Sequence, residues 1–208
     1  MTTRREHWDH AYGGAEDADL SWFEAEPRHS LDAILQKLPP GAAVVDIGGG
    51  TARLAEALLE AGRGPVTVLD LSREALRRAQ DRLGERAAEV IWIAADITAW
   101  QPDRRYAVWH DRAVFHFLTD AKDRAAYVRT LDAALEPGGT AIIATFAADG
   151  PERCSGLPVR RYAPEQLAAE LERLAPGVFT LTGAVRFTHV TPRGVEQKFQ
   201  QSSFRKAG

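Results

Sequence analysis

The sequence holds a single cysteine, Cys154, in 208 residues, so no disulfide can form within the chain and no cysteine-rich metal site exists. That scarcity fits a reducing compartment, and a cytoplasmic location is expected. No stretch approaches the roughly 20 apolar residues that a membrane-spanning helix needs. The opening MTTRREHWDHAYGG lacks the apolar run of a secretory signal. Charge of one sign is also missing. Lysine and arginine number 26 against 29 acidic residues, a formal net charge of -3, which argues against a surface built around nucleic-acid phosphates. Basic stretches such as REALRR lie inside mixed-sign helical patterns and read as solvated faces. There is no internal repeat, no low-complexity linker and no pair of histidines at metal-ligand spacing. What remains, 45% hydrophobic residues beside 26% charged ones, describes one soluble globular domain with a substantial core.

The chain then alternates between two periodicities. AAVVDIG (42–48), PVTVLDLS (65–72), AEVIWIAAD (88–96), RYAVWHD (105–111) and TAIIATFA (140–147) read as five buried strands. Between them, TARLAEALLEAG (51–62) places Leu54, Ala55, Leu58 and Leu59 at helical spacing, and Gly62 stops the pattern. Ser72 can cap REALRRAQDRLGE, and DAKDRAAYVRTLDAAL (120–135) is a helix ended by EPGG. Strand–helix alternation predicts parallel strands with helical crossovers. The tail differs: a helix over 163–174 precedes two alternating runs, 178–190 and 194–205, around TPRG, which predict an antiparallel hairpin on the sheet edge. Residues 1–40 read as a helical segment rich in aromatics, set off by LPPG (38–41) from a nucleotide-type domain over 41–208.

The stretch VVDIGGG carries the chemistry. In a doubly wound sheet, ligands bind beyond the carboxyl ends of the strands where strand order reverses. Gly48, Gly49 and Gly50 lack Cβ atoms and let a ligand approach the backbone closely. The bland alternative is a tight turn with no ligand. The dinucleotide pattern G-x-G-x-x-G fails, because its last position is Arg53, and the phosphate loop G-x-x-x-x-G-K-[ST] is absent. Asp46 stands before the first glycine, where it would repel a pyrophosphate and suit an ammonium or sulfonium. Asp70 ends the second strand and can accept both hydroxyl hydrogens of a ribose. Asp96 ends the third and can accept from an adenine amine, with Ile97 covering the ring. Three acids on successive strand ends, with bare backbone between the first two, describe an adenosine bearing a positive charge: S-adenosylmethionine.

These motifs resemble those of the class I, seven-stranded S-adenosylmethionine-dependent methyltransferases. VVDIGGGTA resembles their first motif, VTVLDLS the ribose-binding motif, AADITAW the adenine motif, and LEPGGTAIIATF the turn and strand before the substrate region. The likeness spans about residues 40–205, with Ala52 where a third glycine is usual. It implies a Rossmann-like α/β fold of seven strands with a C-terminal hairpin and an N-terminal helical lid. It implies S-adenosylmethionine as cofactor, with Asp46, Gly48, Gly49, Gly50, Asp70, Leu71, Asp96 and Ile97 holding it. HWDHAY, LSWFEAEPRHSL and WHDRAVFHFL are further similar to bacterial relatives of thiopurine methyltransferases and of certain lysine methyltransferases. There an N-terminal aromatic segment folds over the cofactor, and an Asp-Arg-Gly-like stretch follows the fourth strand; here it is Asp111-Arg112-Ala113.

Trp8 and Tyr12, four apart on one helix face, either cover the cofactor or pack as ordinary core. Trp22 and its neighbour Phe23 point differently, and one can wall a sulfonium through its π face or pack the lid. Asp111 and Arg112 either line the acceptor pocket or fix the loop as a pair. His110, His116 and His189 read as structural histidines ahead of bases, and Cys154 has no argued activation. The reaction implied is methyl transfer to a sulfur or nitrogen of a small molecule. A protein lysine methyltransferase and a non-catalytic cofactor binder stay open, and an NAD-dependent oxidoreductase is opposed by Arg53. No nucleic-acid or membrane partner is expected.

Overall fold

The structure, a computed structural model, describes residues 3–208. Its elements in chain order are α1 (Arg4–Gly13), α2 (Arg28–Leu35), β1 (Val44–Ile47), α3 (Arg53–Glu60), β2 (Val66–Asp70), α4 (Arg73–Leu83), β3 (Val90–Ala94), β4 (Tyr106–Arg112), α5 (Ala121–Ala134), β5 (Leu135–Phe146), β6 (Arg153–Cys154), β7 (Leu157–Pro158), α6 (Pro164–Leu174), β8 (Phe179–Val190) and β9 (Glu196–Lys206). Seven strands form one sheet in the order β3-β2-β1-β4-β5-β9-β8, and β6 and β7 form a small ribbon. β1 to β5 run parallel, while β9 joins β5 and β8 joins β9 antiparallel. Strand order reverses between β1 and β4, so the crevice that the chirality of the crossovers creates opens there.

Each face of the sheet carries its own core. Val44, Val66, Val68, Val108 and Ile142 meet Ile34 of α2, Leu54 and Leu58 of α3, and Leu76 of α4. Val45, Ile47, Trp109, Ala141 and Ile143 meet Tyr127 and Leu131 of α5 and Leu167 and Leu171 of α6. Alternate residues of one strand thus serve opposite cores, which is why the central strands read as unbroken apolar runs. Ser72 caps α4, its hydroxyl accepting from the Ala75 N–H at 3.1 Å, and the Asp120 carboxylate accepts from Lys122 N–H at 3.0 Å to start α5.

The strand expected over 140–147 begins earlier, at Leu135. Tyr106 pairs with Leu135, yet Val108 pairs with Thr140, so the extra residues of EPGG bulge out between two paired positions. A Cβ on Gly139 would lie 2.9 Å from the Glu136 carbonyl oxygen, which is why the bulge takes glycine rather than a side chain. The helix does stop there, but the glycines shape a strand rather than a loop.

Two alanines hold left-handed backbone: Ala52 at φ 56° and Ala113 at φ 73°. Both stand where the resembled motifs carry glycine. An L-residue in this region costs roughly 1–2 kcal/mol, offset in part because alanine restricts the unfolded chain more than glycine does, by about 0.4–1 kcal/mol. Ala52 also buries its methyl, 1% exposed, within the core. Ala113→Gly is therefore expected to raise unfolding free energy by about 0.5 kcal/mol, and Ala52→Gly to leave it nearly unchanged. Urea denaturation of both variants checks the pair.

Candidate active site

The carboxyl ends of β1 to β4 open into one cavity roofed by the front segment. All eleven residues expected to hold the cofactor line it: Trp8, Tyr12, Trp22, Asp46, Gly48, Gly49, Gly50, Asp70, Leu71, Asp96 and Ile97. Three elements crowd the glycine turn. A Cβ on Gly48 would fall 2.1 Å from Val114 Cγ2, one on Gly49 2.7 Å from Val68 Cγ1, and one on Gly50 2.5 Å from the Tyr12 hydroxyl. Gly48 and Gly50 also take positive φ, 66° and 55°. Bare backbone is required here by the protein's own packing before any ligand arrives.

The acids at the strand ends are employed differently. Asp70 Oδ2 accepts from Gly50 N–H and Oδ1 from Ser72 N–H, both at 2.8 Å, so this carboxylate pins the turn to the start of α4. Burial pushes its carboxyl up to about 6, against the pull of the Ser72 and Gly50 N–H groups. Asp96 accepts from the Thr98 N–H at 2.9 Å and hydroxyl at 2.7 Å, both on Oδ1. Asp46 Oδ1 lies 2.7 Å from His110 Nδ1, across the β1–β4 pairing that sets the two residues opposite each other. His110 also lines the cavity.

Asp111 corrects an expectation. It does not line the cavity; fully buried, it turns to the opposite face. Its Oδ1 accepts from Val114 N–H at 2.8 Å, and its Oδ2 from Phe115 N–H at 3.0 Å and the Tyr127 hydroxyl at 2.6 Å. Tyr127 in turn accepts from the Trp109 indole N–H at 2.9 Å. The reason is strand alternation: neighbours on β4 face opposite sides, so Asp111 and Arg112 cannot both face the ligand crevice. Asp111 shapes the loop that carries Val114 against Gly48.

Arg112 does line the cavity, with its donors engaged by the lid. Its Nη1 donates to the Trp22 carbonyl at 3.1 Å and its Nη2 to Glu24 Oε1 at 2.8 Å. The same Glu24 oxygen lies 3.2 Å from His189 Nδ1, and His189 Nε2 donates to the Ser21 carbonyl at 2.8 Å. Residues 21–24 are thus strapped to β4 and β8. Trp22 packs edge-on against Trp8 (5.7 Å between centroids) and Tyr12 (5.5 Å), and Trp8 against Phe117 (5.1 Å). Phe23 lies under the Arg53 guanidinium at 5.6 Å. Among the described residues no cluster of histidine, cysteine and carboxylate groups is arranged to hold a metal ion, and no helix is long and apolar enough to cross a membrane.

Comparison with known proteins now bears on this arrangement. Residues 44–139 match a family model described as a methyltransferase domain. No curated protein matches in sequence. Among solved structures, the N-methyltransferase NodS from Bradyrhizobium japonicum WM9, in complex with S-adenosylhomocysteine, is similar at 16% identity and a TM-score of 0.73, covering 98% of both chains. The 1,6-didemethyltoxoflavin-N1-methyltransferase of Burkholderia thailandensis is 22% identical with a TM-score of 0.65, over 99% of this chain and 80% of that one. A structure tied to the conversion of a disulfide bond into a thioacetal group during echinomycin biosynthesis is 23% identical with a TM-score of 0.76, over 98% and 93%. The chain thus shares its fold with these structures, and residues 44–139 are similar to a methyltransferase domain. The matched segment runs from β1 into the β5 bulge and takes in the glycine turn, the strand-end acids and β4.

Some residues of the cavity wall carry no signal of their own in the sequence. Glu24, Ser30 and Phe117 line the cavity, the first two within LSWFEAEPRHSL and the third within WHDRAVFHFL. Their stretches were marked, but a contact across 88 positions, as between Glu24 and Arg112, leaves no local periodicity. His110, read as structural, is paired with Asp46 inside the cavity wall. Cys154 lines the cavity too, and burial pushes its thiol up to about 11, so it is not a thiolate nucleophile.

Replacing Asp111 with alanine strands two N–H groups and a buried phenol. Each unpaired buried group costs about 1–3 kcal/mol, so Asp111→Ala is expected to lower stability by several kcal/mol or to prevent folding. Asp111→Asn, which keeps an acceptor, is expected to fold with a smaller loss and to bind S-adenosylhomocysteine within about twofold of the parent. A tenfold loss of affinity in the folded Asn variant, seen by calorimetry, would return Asp111 to the ligand site.

Proposed function

We propose that this protein transfers the methyl group of S-adenosylmethionine to a nitrogen or sulfur of a small molecule. The observation that carries the reading is the single cavity in which a bare glycine turn, three strand-end acids and an aromatic roof meet. The residues fit the cofactor. Asp70 already accepts one backbone N–H on each oxygen, and each oxygen keeps a second lone pair for a ribose hydroxyl. Asp96 leaves Oδ2 without a hydrogen bond to the described residues, suited to an exocyclic amine. Leu71 and Ile97 supply apolar contacts to the nucleoside, and Trp22 a π face for a cation.

When bound, S-adenosylmethionine supplies an activated sulfonium methyl. The chain's task is alignment and exclusion of water. Residues 3–40 act as the lid: α1 and the 21–24 strap place Trp8, Tyr12 and Trp22 over the strand ends. A covered cavity favours a small acceptor, in line with NodS, an N-methyltransferase, and with the toxoflavin-type N1-methyltransferase. The broad test is incubation with methyl-labelled cofactor and a bacterial extract: label in the small-molecule fraction supports the reading, and label confined to protein overturns it in favour of a lysine methyltransferase.

The raised carboxyl of Asp70 makes a sharper prediction. Protonation turns one acceptor oxygen into a donor, so affinity for S-adenosylhomocysteine is expected to rise between about pH 5 and about pH 7.5. The sign for the unliganded protein is opposite. The folded carboxyl sits above its ordinary value, so the stabilising contribution of the protonated group is complete below about 3.8 and is lost as pH rises through about 6. Asp70→Asn is expected to weaken binding by roughly ten- to a hundredfold, corresponding to about 1.5–3 kcal/mol for a hydrogen-bonded charge, and to flatten the pH dependence. Calorimetry across this range, with the variant in parallel, measures both.

A further inference from the structure

The Asp46–His110 pair sits at the one place where the nucleoside side of the cavity meets the rest of it. Asp70 and Asp96 belong to β2 and to the turn after β3. An acceptor must therefore approach from the other side, over β4 and the loop that follows it, where Arg112, Val114 and Phe117 line the cavity. Asp46 and His110 face each other across β1 and β4, where strand order reverses between these two sides. The pair is deeply buried, Asp46 being 4% and His110 2% exposed. Asp46 Oδ1 accepts from Nδ1–H at 2.7 Å, so in the neutral ring the lone pair is on Nε2. That Nε2 is buried and has no hydrogen-bond partner. Buried polar atoms are rarely left so, and an unpaired one calls for a functional account.

The other titratable groups on the cavity wall are occupied or unsuited. Glu24 is ion-paired with Arg112 and His189. Burial pushes the Cys154 thiol to about 11 and the Tyr12 phenol well above its ordinary value. Asp70 and Asp96 lie with the nucleoside. Only the imidazole combines a carboxylate behind it with a free acceptor nitrogen, the arrangement that makes a histidine a competent base.

We infer that His110, oriented by Asp46, is the proton acceptor for the methyl-accepting group, and hence that the acceptor arrives protonated, as an amine, thiol or ring N–H. This rests on the function proposed above. The balance is simple: the lone pair of the acceptor atom forms the new bond to the methyl carbon. The pair of the broken carbon–sulfur bond stays on sulfur. The acceptor's proton passes to Nε2 and from there to water when products leave. Asp46 is a positioning residue, and His110 the catalytic one.

Sinefungin provides a test without a known acceptor, because it carries a primary amine where the sulfonium methyl stands, and so places an N–H donor at the transfer point. Calorimetry would compare sinefungin, S-adenosylhomocysteine and methylthioadenosine, which lacks the amino-acid end. The parent protein is expected to prefer sinefungin to S-adenosylhomocysteine by about tenfold, one charge-assisted hydrogen bond. His110→Asn is expected to abolish that preference and leave the other two affinities within about twofold. Asp46→Asn supplies a second variant: its amide donates to Nδ1, puts the proton on Nε2, and should also erase the preference. A preference that survives in both folded variants, or is absent from the parent, overturns the inference while leaving the methyltransferase reading intact. So does a loss of S-adenosylhomocysteine affinity with methylthioadenosine spared, which would assign His110 to the amino-acid end. Failure of the parent to bind any of the three removes the functional reading itself.

Discussion

Three peptide units after β1 are pressed from three directions, and the rest of the site depends on that compression. Val114 arrives from the loop after β4, Val68 from β2 and the Tyr12 hydroxyl from the lid, each within 3 Å of where a Cβ would stand on Gly48, Gly49 and Gly50 respectively. The turn is therefore a keystone between sheet, post-β4 loop and lid. Its N–H and C=O groups cannot be swung away without displacing side chains from all three. Asp70 completes the clamp by accepting from Gly50 N–H and Ser72 N–H, which ties the turn to the first residues of α4. The cost is a carboxylate held out of water, and the lifted carboxyl of Asp70 is the sign of it.

The buried carboxyls show how one residue type takes unlike tasks from its surroundings. Asp111 and Asp70 are both pushed up to about 6 by burial, yet Asp111 serves only the protein, binding two loop N–H groups and Tyr127. Asp46 faces an imidazole. The distinction follows from strand alternation. Asp46 and His110 lie on the face that Val44, Val66 and Val108 cover lower down, whereas Asp111 shares its face with Trp109 and Ile143. A displacement of one position along β4 thus separates a cavity-facing group from a structural one.

This explains how far the sequence could be read. The parallel strands, their helices and the hairpin were legible because both faces of the central strands are buried and the periodicities are clean. The glycine turn and Asp70 were legible because their contact is local: Asp70 reaches Gly50 through one β–α–β unit. Ala52 and Ala113 mark departures from glycine patterns, and their positive φ values show that the backbone there takes the conformation glycine favours. What was not legible was which of Asp111 and Arg112 faces the cavity, since an alternation gives the period but not the phase at a strand end. Nor could EPGG be read as a bulge, because a helix stop and a β-bulge use the same residues. The partners of Glu24 and His110 depend on contacts across 88 and 64 positions, which no local pattern encodes.

The lid is held by charge as much as by aromatic packing. Arg4 of α1 pairs with Asp123 of α5, and Asp9 accepts from the Ser72 hydroxyl at 2.7 Å at the start of α4. Arg78 donates to the carbonyls of Tyr12 and Ala15 at 2.5 and 2.9 Å, and Arg112 and His189 converge on Glu24. The Arg4–Asp123 pair keeps its guanidinium half in water, which screens the attraction. The Arg112–Glu24 pair is different, with side chains only 16% and 17% exposed, so breaking it without replacement leaves two charges partly out of water. The strap over residues 21–24 is therefore tied down by partly buried charge, and the aromatic cluster of Trp8, Tyr12 and Trp22 joins it to α1. Lifting α1 would draw the Tyr12 hydroxyl away from Gly50, so the lid and the glycine turn are coupled and the roof over the strand ends is held as one piece with the site it covers.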